Sequence, residues 1–246
     1  MKRLGGLAAA VALCALGVAG CDNSGPPIPL SRAQPNSTHA ALAGNGSAVV
    51  SAPRGSVRTA DFEMSSGVTT LVLHSSDLGG TLYRISTPAG AGVVPSAVVD
   101  DGEVVAQLAS SGTNGPSLVD IDLSDAVAWT VHLDSGCTLA RVDMRSGGLS
   151  VLNFDAGVTR IDATLPNAAV AVRMSGGASE FDVHAPSGVP VRVTMGGGGG
   201  NATIDGTHHS GIQGGAVFTP STWPSTGSRI DIDNTAGVST FTLDRY

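Results

Sequence analysis

GCTLARVDM (136–144), GVTRIDATL (157–165), GASEFDV (177–183), GNATIDG (200–206) and GVSTFTL (237–243) are variants of one unit, Gly-x-Ser/Thr-x-apolar or close to it. The first four begin 21, 20 and 23 residues apart, and the last follows a longer insertion. Between them lie further short alternating runs, LSVLNF, AVAVRM and VPVRVTM. Strict alternation of apolar and polar residues places every second side chain on one face of a strand. A period near 20 with two short strands per unit predicts a β-solenoid, because a single coil cannot bury its apolar face and must stack on the next. A β-sandwich is the competing architecture, but its strands have no reason to recur with matching turns.

The same period-two pattern extends over the chain from Val57. VRTADFEM, VTTLVLHS, TLYRIST, SLVDIDLS, AWTVHLDS, SRIDIDN and STFTLDRY all alternate and are bounded by Gly, Ser, Asn or Pro. No window carries the 3.6-residue period of an amphipathic helix. Thirty-four glycines and an aromatic content of 4% fit many tight corners around a core of small aliphatic residues. The expected fold is all-β over residues 57–246. The glycine pairs 147–148 and 176–177 and the run Gly196–Gly200 are assigned to corners, where positive φ or a close approach of backbones excludes a side chain. Gly196–Gly200 lacks the following Lys-Ser/Thr and the helix of a phosphate-binding loop, and it does not match the aspartate spacing of calcium-binding nonapeptide repeats.

The N-terminus carries an address rather than a fold. Lys2 and Arg3 precede an apolar stretch, Leu4–Val18, too short for a comfortable membrane span, and Val18-Ala19-Gly20-Cys21 matches the bacterial lipobox. Residues 1–20 are therefore expected to be a lipoprotein signal peptide, with a diacylglycerol on the Cys21 thiol and acyl chains such as palmitate supplying the hold on the membrane. Residues 21–56, with Pro26, Pro27, Pro29, Pro35 and Pro53 among small polar residues, are expected to be a disordered, flexible tether. Such a tether sets the domain roughly 30 Å from the bilayer. Asp22 after the lipidated cysteine favours retention on the outer face of the cytoplasmic membrane.

Loss of Lys2, the only lysine, and Arg3 takes the basic count from 13 to 11 against 20 acidic residues, a net charge of −9. An acidic, exported domain argues against nucleic acid and against electrostatic adhesion to anionic lipid. With Cys14 removed and Cys21 lipidated, Cys137 has no disulfide partner within the chain and is expected to be an inert buried thiol.

The segments SLVDIDLSDAVAWTVHLDSG (117–136) and SGGASEFDVHAPSGVPVRV (175–193), the glycine corner and the closing DIDNTAGVSTFTL (231–243) resemble the toast-rack and putative-adhesin β-solenoid domains of bacterial surface proteins. These are related to the C-terminal domains of cell-wall-active antibiotic response proteins. The resemblance covers about half the chain, from Ser117 to Tyr246. It implies a right-handed stack of β-coils and a role at the cell envelope. It brings no catalytic residues.

Four acids, Asp143, Asp162, Asp182 and Asp205, align at one outward position of successive repeats. Stacked strands lie about 4.8 Å apart, so these carboxylates would form a ladder of like charge. Arg141 and Arg160, two residues earlier on the same face, are candidates to temper it. A bound Ca²⁺ is the other candidate, since hard cations take several carboxylate oxygens. An enzyme is not expected: sugar-cleaving chemistry needs opposed carboxylates and a platform for the sugar. The chain offers two tryptophans, Trp129 and Trp223, two tyrosines and, past Lys2, no lysine. His208-His209 point to opposite sides of any extended segment, which argues against a shared metal. Trp223 is read as an anchor that pins its Pro-bounded loop. The expected function is a non-enzymatic, lipid-anchored envelope protein whose solenoid presents a rigid face to a protein partner, with self-association through the solenoid ends in view. The alternative is a cell-wall polysaccharide-binding or carbohydrate-active β-helix protein.

Overall fold

A computed structural model describes residues 36–42 and 46–246. Along the chain the strands are β1 (Asn36–His39), β2 (Ala41–Leu42), β3 (Ala48–Pro53), β4 (Thr59–Met64), β5 (Val68–Ser76), β6 (Thr81–Thr87) and β7 (Val93–Asp100). They continue with β8 (Glu103–Ser110), β9 (Leu118–Ser124), β10 (Ala128–Leu133), β11 (Cys137–Asp143), β12 (Leu149–Phe154), β13 (Val158–Thr164) and β14 (Ala169–Met174). The last are β15 (Ala178–Ala185), β16 (Val191–Met195), β17 (Gly199–Ile204), β18 (Thr207–Ile212), β19 (Ala216–Phe218), β20 (Arg229–Asn234) and β21 (Val238–Arg245). There is no helix among the described residues, and hence none long and apolar enough to cross a membrane. The fold is all-β, in two mixed sheets.

The ten-stranded sheet has the order β1-β7-β8-β4-β10-β12-β14-β20-β16-β19 and the eleven-stranded sheet the order β18-β17-β21-β15-β13-β11-β5-β9-β6-β3-β2. Seven strands in the middle of each, β8 to β16 in the first and β9 to β17 in the second, pair in parallel. The remaining strands pair antiparallel at the two ends. Each parallel strand of the first sheet is followed, after a short corner, by its counterpart in the second. This gives seven two-stranded units: β8–β9, β4–β5, β10–β11, β12–β13, β14–β15, β20–β21 and β16–β17.

Alternation explains the core. Val104, Phe62, Val131, Leu152, Val172, Ile232 and Val193 stand in one register column of the first sheet, and all are buried. In the second sheet Val119, Leu71, Ala140, Ile161, Phe181, Phe241 and Ala202 form the facing column. Phe181 links the layers by edge contacts to Phe154 in the opposite sheet, 5.8 Å between ring centroids, and to Phe241 at 5.5 Å. Trp129 is fully buried, its indole donating to the Ser124 carbonyl at 2.9 Å. Each large buried side chain contributes about 1.5–3 kcal/mol.

Two features depart from the sequence reading. Within the segment expected as a tether over 21–56, residues 36–39, 41–42 and 48–53 pair as strands β1 to β3. In β3 the buried Ala48 and Val50 lie two apart, a short alternation hidden by the prolines around it. The units also do not stack in chain order. β20–β21 lies between β14–β15 and β16–β17, and β4–β5 lies between β8–β9 and β10–β11. The glycine run follows from this insertion: a Cβ on Gly197 would stand 2.3 Å from the Ala236 carbonyl carbon, and one on Gly200 2.7 Å from the Ser239 oxygen. Only glycine lets the final unit slide so close. The segment expected to be a signal peptide, residues 1–20, and Cys21 lie outside the described residues.

Candidate functional site

The outward side chains of the parallel strands stand in rows across each sheet, one residue per strand. On the eleven-stranded sheet one row runs Arg84, Asp122, His74, Asp143, Thr164, His184 and Asp244. The next row, two residues earlier, holds Asp120, Val72, Arg141, Asp162, Asp182 and Thr242. Charged groups of both signs and imidazoles therefore sit at fixed spacing on one face, held by the hydrogen-bond ladder beneath.

The four acids aligned from the repeats do not form one ladder. Asp162 and Asp182 are direct neighbours, but Asp143 lies opposite Thr164 and His74, one row away. Asp205 has left the strand: it sits in a turn at φ 47° and receives two hydrogen bonds from Arg245, at 2.6 and 2.8 Å. The cause is a register offset, since GCTLARVDM carries its aspartate two residues further from its glycine than GVTRIDATL does. Cations and imidazoles partner the acids. Arg160 reaches Asp182 at 3.1 Å and Glu180 at 3.0 Å, while Arg141 faces Asp162 across the strands. Arg145 grips Asp143 with two guanidinium nitrogens, and this hydrogen bonding holds the Asp143 carboxyl below its ordinary pKa. His184 bridges Asp162 at 3.2 Å and Asp244 at 2.5 Å.

At the other end of the row, His74 Nε2 lies 3.0 Å from Oδ1 of both Asp120 and Asp122. Burial, reinforced by the neighbouring Asp122 charge, pushes the Asp120 carboxyl above its usual range against the pull of His74. No spacing in the sequence reveals this cluster, because 46 residues separate Asp120 from His74 and the excursion through β6 to β8 intervenes. Only the pairing of β5 with β9 brings them together.

The other singled-out residues have structural surroundings. Cys137 is half-buried against the core, and burial pushes its thiol up to about 11, far from the range of a reactive thiolate. His208 and His209 occupy adjacent places on β18, and the His209 ring packs on Phe218 at 4.6 Å. The Trp223 ring lies 4.5 Å under the Arg192 guanidinium, which in turn binds Asp231. That stack fastens the 219–228 loop to the ten-stranded sheet. His132 is the corresponding imidazole of that sheet. It accompanies Asp134 and Asp155, and its Nδ1 meets the Asn153 amide at 3.2 Å.

Solved structures similar to this chain include two named for adhesion. A putative cell adhesion protein from Clostridium sporogenes superposes with a TM-score of 0.56 at 16% identity, covering 87% of this chain and the whole of that one. It shares the fold. A putative adhesin from Bacteroides fragilis aligns over 80% of this chain and 97% of its own at 12% identity, with a TM-score of 0.25. No family model matches the chain, and no curated protein matches it significantly.

Proposed function

We propose that this is a non-enzymatic, lipid-anchored protein of the cell envelope, held through Cys21 on the outer face of the cytoplasmic membrane. Its parallel stack acts as a right-handed β-solenoid that presents a rigid polar face to a protein partner. The observation that carries the reading is the continuous parallel register of seven strands in the eleven-stranded sheet. It fixes rows of Asp, Arg and His at strand spacing over a broad surface. A surface so ordered pays little conformational entropy on binding, which favours recognition by charge and shape complementarity. The adhesion role named for the Clostridium structure is consistent with it.

The test is a binding assay with the chain from residue 22, incubated separately with isolated cell walls and with solubilised membrane proteins. Capture of a discrete membrane protein, with none of the chain retained on walls, is expected. Retention on protein-free walls would replace this reading with a polymer-binding one. Self-association alone, with neither partner bound, would make the stack a spacer or an assembling element.

A further inference from the structure

The sequence Asp-Ile-Asp occurs twice, at 120–122 and 231–233, each time on a parallel strand with both carboxylates outward. The two copies have different neighbours. Asp231 is bound by Arg192, and Asp233 lies opposite Arg173, so the second pair faces cations. The first pair faces an imidazole. Arg84 stands across from Asp122 and Arg141 lies in the row of Asp120, yet neither arginine forms an ion pair with these acids. Three side chains from two adjacent strands instead converge on one point, Nε2 of His74 and one oxygen each of Asp120 and Asp122, all within 4.8 Å of one another.

Hydrogen bonding alone does not complete this cluster. Only the His74–Asp120 contact has hydrogen-bond geometry, and a ring nitrogen carries a single proton. Asp122 Oδ1 accepts from the Ser76 hydroxyl at 3.3 Å and stands equally close to Nε2 without a hydrogen bond from the ring. With a neutral ring the three groups carry two negative charges around one space, which a divalent cation neutralises and a single imidazole proton does not. The spacing also suits a metal. Donors about 2.0–2.2 Å from an ion at angles of 90–110° stand roughly 3.0–3.5 Å apart, and both nitrogen–oxygen separations are 3.0 Å. In the cluster on the other sheet the His132 ring nitrogen already meets the Asn153 amide, a group outside the three candidate ligands.

We propose that His74, Asp120 and Asp122 form a binding site for a divalent transition metal of the zinc, cobalt or manganese type. One imidazole and two carboxylates favour such ions over Ca²⁺, which takes six to eight oxygens. Three protein ligands leave further coordination positions open to solvent. Partial exposure of all three side chains gives the ion an entry path. The site uses none of the aspartates aligned in the repeats as ligands, although Asp143 stands beside His74, and it does not depend on the binding role proposed above.

The test uses the untagged chain from residue 22, stripped with chelator and titrated with Co²⁺ and then Zn²⁺. One equivalent of Co²⁺ is expected to bind with a visible absorption band, Zn²⁺ to displace it, and melting to rise with metal. His74→Gln and Asp122→Asn are each expected to weaken binding at least tenfold, whereas Asp231→Asn leaves it unchanged. Melting of each variant without metal shows that it folds; should His74→Gln fail to fold, Asp120→Asn takes its place. Absence of stoichiometric binding would overturn the proposal. So would binding that survives both ligand substitutions, since the metal would then sit at other histidines.

Discussion

Asn234 ends β20 in the column Met64, Leu133, Phe154, Met174, Asn234 and Met195, where every other member is apolar and all are buried. Its carboxamide oxygen has no partner, and its nitrogen donates only to the Met195 sulfur at 3.2 Å. Exchanging oxygen and nitrogen by a flip leaves one of them unsatisfied all the same. Asn234→Leu keeps the branching and the number of heavy atoms. It removes a buried unsatisfied group, worth about 1–3 kcal/mol, and buries two methyls at about 0.8 kcal/mol each. Against this stand the weak contact to sulfur and the strain of slightly larger groups, about 1–3 kcal/mol together. The expected net effect is a stabilisation of about 1–2 kcal/mol, or roughly 2–8 °C in Tm for a domain of this size. Asn234→Asp should instead lose several kcal/mol at neutral pH, because it buries a charge beside apolar neighbours. Urea unfolding of the three proteins at constant m measures both effects. A leucine variant less stable than the parent by 1 kcal/mol or more would refute the reasoning and show that the amide supplies a polar interaction the core requires.

Glycine substitutions should separate by their surroundings. Gly176→Ala places a Cβ 2.0 Å from the Ala156 carbonyl carbon and is expected to cost about 3 kcal/mol or more in thermal unfolding, whereas Gly80→Ala meets nothing within 4 Å and should be neutral or slightly stabilising. Asp143→Asn tests the clasp of Arg145: the folded pKa is lowered, so the wild-type advantage exists above the ordinary value of 3.8 and vanishes as pH falls through the folded value. Solvent exposure limits that advantage to about 1 kcal/mol at pH 7, and urea unfolding at pH 7 and pH 2 measures its disappearance. Cys137, with its thiol at about 11, should resist a thiol reagent at pH 8 in the native chain from residue 22 and react rapidly once urea unfolds it; equal rates would show that the thiol is not shielded by the fold.

The repeat was legible because alternation and glycine corners are local. Val142 and Met144 of GCTLARVDM, like Ile161 and Ala163 of GVTRIDATL, are buried as their places in the pattern require. Strands β7 and β8 were not, because Val93–Asp100 and Glu103–Ser110 are runs of small apolar residues in which both faces look alike. The inserted place of β20–β21 left only an indirect trace, the five glycines that make room for it. The aspartate ladder failed for the opposite reason. Aligning repeats by their glycines fixes the strand but not the row, and an offset of two residues moves a side chain to the next row of the same face or, at a corner, out of the strand. The His74 cluster depended on pairing between strands separated by a long excursion, which no local pattern encodes.

Insertion at both ends changes what kind of stack this is. In a linear repeat array each unit meets only its chain neighbours, and stability spreads from any nucleus. Here β14–β15 and β16–β17 follow one another in sequence but touch only through β20–β21, whose strands hydrogen-bond on both sides. The β4–β5 unit holds β8–β9 and β10–β11 together in the same way. Each end is therefore closed by a unit distant in sequence from one of its partners, and antiparallel strands then cover the outermost parallel edges. Non-local closure of this kind slows folding, because the loop entropy must be lost before the contacts form. It also makes unravelling from an end expensive, since no terminal unit can leave without opening ladders on both of its sides. A surface built to hold charged rows at fixed spacing gains from that arrangement, because its rigidity is then a property of the whole stack rather than of each repeat.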